Sequence, residues 1–470
     1  MNDLLSILEA YAGDGRVPMH MPGHKRNPAL SMPNPYAIDI TEIDGFDNLH
    51  HAEGILRDGM ERTAELYGSR RCFHLVNGST VGLLAGIRAM TRKGGAVLMA
   101  RNCHKAVYNA AILNELHPVY LFPDYNEGFS VNGSVSAREV ERLLAENPGI
   151  CAVAVTSPTY EGVVSDIRAI SEVCHIRGIP LLVDEAHGAH LGFHPAFPPS
   201  AVSQGADIVV QSFHKTLPSL TQTAVLHVCS ERVPAEEIRR NLEIFETSSP
   251  SYVLMASIER CVSLLREQGD ALFRNWVSNL AAFDRQADAL TRLRVLGYGR
   301  NRRAAERFAG FDPSKLVISA KSTNLTGAGL ADFLRRAGIE PEMVSADYLV
   351  AMTSLCDTPE SLAELAKVLL TADREAETRE NPPEAGRMPP CEPVLTPYEA
   401  GLHFGRILPW EQSTGQISRD FVFAYPPGIP IVAPGERISA EILRYVESLK
   451  RQGVSVQISG GEDTSIEVIG

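Results

Sequence analysis

Between residues 96 and 210 short apolar runs alternate with helical periodicity, and few architectures can bury such a pattern. Runs at 96–100, 119–122, 151–155 and 179–183 read as strands, and 106–116, 137–146 and 166–177 read as helices. Repeats of strand, helix and strand bury both faces of a mostly parallel sheet under helices, with right-handed crossovers. The apolar run Ile208, Val209 and Val210 adds one more strand. Sheets of this kind place ligands outside the carboxyl ends of their strands. The residues that follow each run are therefore candidates for chemistry: His104, Thr156, Asp184, His187, Ser212, His214 and Lys215.

Lys215 is the most informative of these. A partly desolvated lysine loses its proton more readily and can condense with an aldehyde as a Schiff base. Ser212-Phe213-His214-Lys215 alone does not separate that role from a solvated loop lysine. Upstream, Asn77-Gly78 reads as a turn, and Ser79 or Thr80 as the cap of a helix over 81–90. Free N–H groups and the positive end of the helix dipole suit a phosphate there, although an ordinary cap has the same sequence and no glycine-rich nucleotide fingerprint accompanies it. His187, His190 and His194, with Asp184, imitate a metal set, but glycines at 188 and 192 interrupt any regular helix, which disfavours a metal. Asp184 and Glu185 are strand neighbours and point to opposite faces, so only one of them faces the site.

The 470 residues call for two or three domains. A net charge of -13 argues against nucleic acid or an anionic membrane as partner. No basic segment leads into an apolar run at the N-terminus, which predicts a cytosolic protein. Eight cysteines occur without a CxxC pair and read as free thiols. A helix ending at Gly13 precedes a Pro-, Gly- and His-rich arm over 19–51, whose Met21-Pro22-Gly23-His24 turn predicts order near a site. Lys25 and Arg26 in that arm read equally well as solvated residues. A helix at 55–67 and a short strand at 73–76 follow. After a long helical stretch reaching about 291, strands at 315–320 and 348–355 alternate with helices at 328–337 and 359–372. A Pro- and Glu-rich linker then leads to a third module, whose loop from Tyr425 to Pro430 is too rich in proline for a central strand.

Asp184 with Ala186-His187, and Ser212-Phe213-His214-Lys215 about thirty residues on, resemble the pyridoxal-phosphate enzymes of the aspartate-aminotransferase fold. More narrowly, the chain resembles the ornithine/lysine/arginine decarboxylases. Pro22-Gly23-His24, Asn102-Cys103-His104-Lys105, Ser249-Pro250-Ser251-Tyr252, Tyr425-Pro426-Pro427-Gly428-Ile429-Pro430 and Pro434-Gly435-Glu436 carry this narrower likeness. Pro218 departs from the small residue usual after the lysine, and the N-terminal wing of the longer members is absent, so the resemblance is to a short form.

The resemblance implies an α/β protein of PLP fold type I, with a mostly parallel large domain, a smaller α/β domain and a C-terminal α+β module. The expected division is an N-terminal helix and arm at 1–54, the cofactor domain at 55–291, the small domain at 292–380, a linker at 381–393 and the C-terminal module at 394–470. It implies pyridoxal 5'-phosphate held by Lys215, with Asp184 at the pyridine nitrogen, His104 stacked on the ring and His187 beside it. Ser79, Thr80, Ser212 and His214 would hold the phosphate. Thr247, Ser248 and Ser249 would reach the phosphate of a neighbouring subunit, making a homodimer, or a higher homo-oligomer, obligatory. The implied reaction is α-decarboxylation of arginine, lysine or ornithine to the amine and carbon dioxide, without a metal. A lyase or aldolase acting on another amino acid is the alternative, and the intact Lys215, Asp184 and His104 speak against a non-catalytic homologue. A basic substrate calls for an acidic pocket, for which Asp39, Glu42, Asp44 and Asp47 are candidates and, equally, turn caps or solvated residues. Glu436 reads equally as a residue near the site and as part of a plain turn.

Overall fold

A computed structural model describes residues 4–30, 32–379, 387–425, 428–460 and 464–470. The apolar runs become a seven-stranded sheet: β1 (Arg71–Leu75), β2 (Ala96–Ala100), β3 (His117–Leu121), β4 (Ile150–Thr156), β5 (Leu181–Asp184), β6 (Ile208–Ser212) and β7 (Ala224–Val228). Their spatial order is β1-β7-β6-β5-β4-β2-β3. Only β7 runs against its neighbours β6 and β1; the other strands share one direction. Parallel neighbours need a long crossover, whereas an antiparallel neighbour can follow a short loop. Residues 213–223 are such a loop, and they hold Lys215. The sequence reading contains neither β7 nor the helix Ala235–Phe245 that follows it.

The helix Gly78–Met90 seats closely on this sheet because Gly82 has no side chain: a Cβ there would lie 2.8 Å from Leu75 Cδ1 and 2.9 Å from Val210 Cγ1. That close seating brings the helix N-terminus beside the end of β6. The helix starts at Gly78, three residues before the expected start at 81, so Ser79 and Thr80 lie in its first turn and Asn77 is the N-cap residue. The helix Lys105–Leu113 is shorter than its apolar pattern because Asn114 leaves helical geometry and Glu115 adopts φ +54.

Beyond the sheet, the helix Tyr252–Ala287 spans 36 residues and connects to a four-stranded antiparallel sheet built from Arg294–Val295, Lys315–Ser319, Tyr348–Met352 and Met343–Val344. One apolar cluster runs from Phe213 and Val225 through Phe273 and Trp276 to Leu316 and Leu369, so the two sheets share packing across this helix. The arm is tied to the smaller sheet's surroundings: Val17–Met19 pairs in parallel with Ile339–Pro341. Lys25 and Arg26 are not solvated. Lys25 Nζ donates to the carbonyls of Pro18, His20 and Met352 at 3.0, 2.8 and 2.7 Å, and the Arg26 guanidinium lies 4.7 Å from the centre of the Tyr11 ring.

The C-terminal module has a core of its own, around Trp410, Val422, Ile431, Ile442 and Val446. Val422–Ala424 and Ile429–Val432 pair as a hairpin, with Ile429–Val432 at the sheet edge, where Pro430 is tolerated. Pro426 and Pro427 lie outside the described residues, as do 381–386 of the expected linker. The end of that linker is already paired, Glu392–Pro393 with Glu436–Arg437.

Candidate active site

All eight residues singled out as cofactor or catalytic candidates line one cavity of 280 Å³: Ser79, Thr80, His104, Asp184, His187, Ser212, His214 and Lys215. They converge because β1, β2, β5 and β6 all deliver their carboxyl ends to the same edge. The Lys215 amine sits 3.0 Å from His187 Nε2. Ser79 and Ser212 hydroxyls meet at 2.6 Å, joining the helix N-terminus to the end of β6. His214 Nδ1 donates to the Thr223 carbonyl at 2.9 Å, and His104 Nδ1 accepts the Ala106 N–H at 3.1 Å, which leaves the His104 proton on Nε2.

The electrostatics follow from burial. Burial lowers the Lys215 pKa, opposed by the nearby Asp184 carboxylate. Asp184 is itself raised by burial, with Lys215 opposing. Burial, reinforced by the Lys215 charge, brings His104 down to about 4 and His187 well below its ordinary value. Burial also lowers His214 to about 4. The imidazoles of this site are therefore neutral at pH 7, while burial and mutual attraction oppose each other at Lys215 and Asp184.

The arm contributes directly. The Gly23 N–H donates to the His214 carbonyl at 2.8 Å, and a Cβ on Gly23 would lie 2.6 Å from Leu217 O. Glycine is thus required where the Pro22-Gly23-His24 turn packs on the lysine loop. Residues distant in sequence complete the surroundings. Tyr160, on the cavity wall, donates its hydroxyl to Glu342, whose other oxygen accepts the Met21 N–H at 2.7 Å. Lys315 Nζ donates to the His187 carbonyl at 3.3 Å and to Asp312 at 3.2 Å. No local pattern marks Glu342 or Lys315, because each acts from the smaller sheet's side of the molecule.

Other candidates lie elsewhere. Glu185 points away from the cavity, as alternation requires, to Ser200, Ala201 and Gln211. His190 is bonded to Asp312 at 3.1 Å and His194 to the Ala196 N–H at 3.1 Å, so with His187 on Lys215 the three histidines have separate partners. Asp47 accepts the N–H groups of Glu53, Gly54 and Leu56 at the start of the helix Ile55–Tyr67, a local cap, while Asp39, Glu42 and Asp44 are exposed. Glu436 is buried on Arg101 at 3.1 Å, behind the cavity. Thr247, Ser248 and Ser249 are exposed, with the Thr247 N–H donating to Asn77 Oδ1 at 3.2 Å.

Residues 3–360 match the family described as Orn/Lys/Arg decarboxylase, major domain, and residues 389–456 match the Orn/Lys/Arg decarboxylase C-terminal domain. The chain belongs to the Orn/Lys/Arg decarboxylase family. It is 30% identical to an arginine decarboxylase of Halalkalibacterium halodurans, over 99% of this chain and 96% of the relative. It is 29% identical to an arginine decarboxylase of Bacillus subtilis, with the same coverage of 99% and 96%. Among solved structures, the constitutive lysine decarboxylase of E. coli superposes with a TM-score of 0.74 at 20% identity, over 89% of this chain and 74% of that one. Ureidoglycine-glyoxylate aminotransferase of Bacillus subtilis gives 0.59 at 18% identity, over 77% and 95%. The fold is PLP fold type I, and the protein is a pyridoxal-phosphate-dependent amino acid decarboxylase. Among the described residues no helix is long and apolar enough to cross a membrane.

The cavity fits that cofactor. It offers an amine for the aldehyde, a buried carboxylate for a ring cation, and hydroxyls with a helix N-terminus for a phosphate. Three buried polar atoms on its wall, Asn102 Oδ1, Thr156 Oγ1 and His187 Nδ1, have no hydrogen-bond partner within the described protein, as expected where a polar ligand supplies one.

Proposed function

We propose that this enzyme removes the α-carboxylate of a basic amino acid, with arginine as the preferred substrate, and that Lys215 is the residue that anchors the cofactor. The observation that carries the reading is the Lys215 amine, kept from its full basicity by burial, beside neutral His187 and facing Asp184 in one cavity. Pyridoxal phosphate, when bound, supplies an electron sink for the pair left behind as carbon dioxide departs. Asp184 would stabilise a positive charge at the ring nitrogen, because an ion paired in a buried site is favoured over an unpaired one. His104, neutral and with its proton on Nε2, would offer a flat face to the ring. Ser79, Ser212 and the first N–H groups of the helix Gly78–Met90 would hold the phosphate, with Thr80 at the exposed side. Lys215, beside His187 in the same cavity, would return a proton to Cα.

Arginine rests on the two arginine decarboxylases to which the chain is related over nearly its whole length. We also infer that two copies share the site. The exposed Thr247-Ser248-Ser249 segment beside Asn77 supports this, since it sits next to the phosphate end and is open to a second chain.

The test is product analysis. Purified enzyme incubated with arginine, lysine and ornithine separately is expected to yield an amine lighter by carbon dioxide, fastest from arginine. Lys215→Ala is expected to lose both turnover and the visible absorption of lysine-bound cofactor. An unchanged absorption spectrum in that variant would show that another residue is the anchor.

A further inference from the structure

A second cavity, of 150 Å³, lies beside the first, between the strand ends, the smaller sheet and the C-terminal module. Asn102 and Ile429 line both cavities. The chain after β4 is divided between them: Tyr160 is on the wall of the first and Glu161 on the wall of the second. Glu161 is only 5% exposed, and its Oε1 accepts the Tyr348 hydroxyl at 2.8 Å. Asn102 is 7% exposed, and its Oδ1 has no hydrogen-bond partner within the described protein. A buried carboxylate is costly unless a cation or several donors compensate it. The arginines on this wall are engaged elsewhere. Arg101 is held by Glu436 and the carbonyls of Pro430 and Ile431, and Arg387 is exposed and donates to the Pro123 carbonyl.

We propose that this second compartment receives the distal cation of the substrate, with Glu161 as the charged acceptor and Asn102 Oδ1 as a second acceptor at the doorway. The inference rests on the basic-amino-acid reading above and assigns the specificity residue that reading lacks. The reacting Cα must stay beside Lys215 and His187, so a long side chain has to leave the first cavity. The shared wall at Asn102 and Ile429 leads it into the second cavity, where Glu161 is the carboxylate among the described lining residues. A guanidinium presents five donors in a planar fork, matching a carboxylate oxygen, an amide oxygen and neighbouring hydroxyls such as Ser345 better than a compact ammonium does. The acidic residues of the arm are not required, since Asp47 is occupied as a cap and the others are exposed.

The experiment compares wild-type holoenzyme with Glu161→Gln, which keeps size and the Tyr348 contact but removes the charge. With arginine, KM is expected to rise roughly 10- to 150-fold, the worth of one hydrogen bond to a charged group. kcat, the visible absorption of the bound cofactor and the melting temperature are expected to stay near wild-type values. A KM within about twofold of an active wild type would overturn the assignment of Glu161 and leave the decarboxylase reading standing. Wild-type enzyme inactive on all three basic amino acids would instead overturn the reading on which the inference rests. Should Glu161→Gln fail to fold, Ser345→Arg decides the matter. It places a cation in the second cavity and is expected to raise KM for arginine by at least tenfold with the cofactor spectrum unchanged, and an unaltered KM would refute the proposal.

Discussion

Replacing Glu436 by Ala is expected to loosen the C-terminal module from the central sheet. Arg101 and Glu436 are each 1% exposed and pair at 3.1 Å. The same Glu436 oxygen accepts the Ala433 N–H at 2.7 Å, and Arg101 continues to the carbonyls of Pro430 and Ile431 at 2.6 and 3.0 Å. These bonds join the end of β2 to the edge strand of the module, so their loss acts on the docking of one unit against the other. Alanine leaves a buried guanidinium without its counter-charge and a buried N–H without its acceptor. Breaking a buried pair from one side costs about 3–5 kcal/mol. The orphaned N–H falls within that range, because it is lost with the same carboxylate. Opening of the module is therefore expected to become about 100-fold more frequent or greater. Amide hydrogen exchange over residues 429–437 measures this directly, since these amides exchange through local opening. The internal control is Glu392→Ala, which removes the Glu392–Arg437 pair, 2.9 Å long but with side chains 66% and 41% exposed. Its loss is expected to cost no more than about 1 kcal/mol. Exchange in Glu436→Ala within threefold of wild type, or equal to that of Glu392→Ala, would refute the reasoning.

Two further outcomes follow from the geometry. Gly23→Ala puts a methyl 2.6 Å from Leu217 O, against backbone that cannot swing aside, so a loss of about 1–3 kcal/mol and weaker cofactor retention are expected, measured by melting and by cofactor absorbance after dialysis. Wild-type values of both would show that the arm does not brace the lysine loop. Burial pushes the Glu185 carboxyl from its ordinary 4.5 up to about 7, against the lowering by its Ala201, Ser200 and Gln211 partners. The folded state therefore binds this proton more tightly than the unfolded state. Stability is accordingly expected to decline as pH rises from 4.5 to about 7 and to level off above it. Urea denaturation between those limits is expected to show a shallower slope in Glu185→Gln, and an identical slope would assign the dependence to other groups.

What the sequence by itself determined is whatever has a local period or a local chemistry. Continuous apolar runs and helical stripes located nearly every strand and helix of the central sheet. The rule that ligands gather at strand ends then brings Asp184, His187, Ser212, His214 and Lys215 together from the sequence alone. That Asp184 and Glu185 divide between opposite faces was legible for the same reason, since alternation along a strand is a property of the backbone. The tertiary structure decided the partners of the buried polar groups. Lys25 and Arg26 read equally well as solvated or as part of an ordered arm, and the fold decides it: Lys25 is held by the Met352 carbonyl, 327 residues away. Glu436 read equally as a residue near the site and as part of a plain turn, and it is Arg101's counter-ion across 335 residues. Glu161 carries no motif of its own, and only the packing of the smaller sheet and the C-terminal module over it makes a second compartment beside the first. A buried charge must be met by whichever group the fold carries to it, and that choice leaves no periodic trace along the chain.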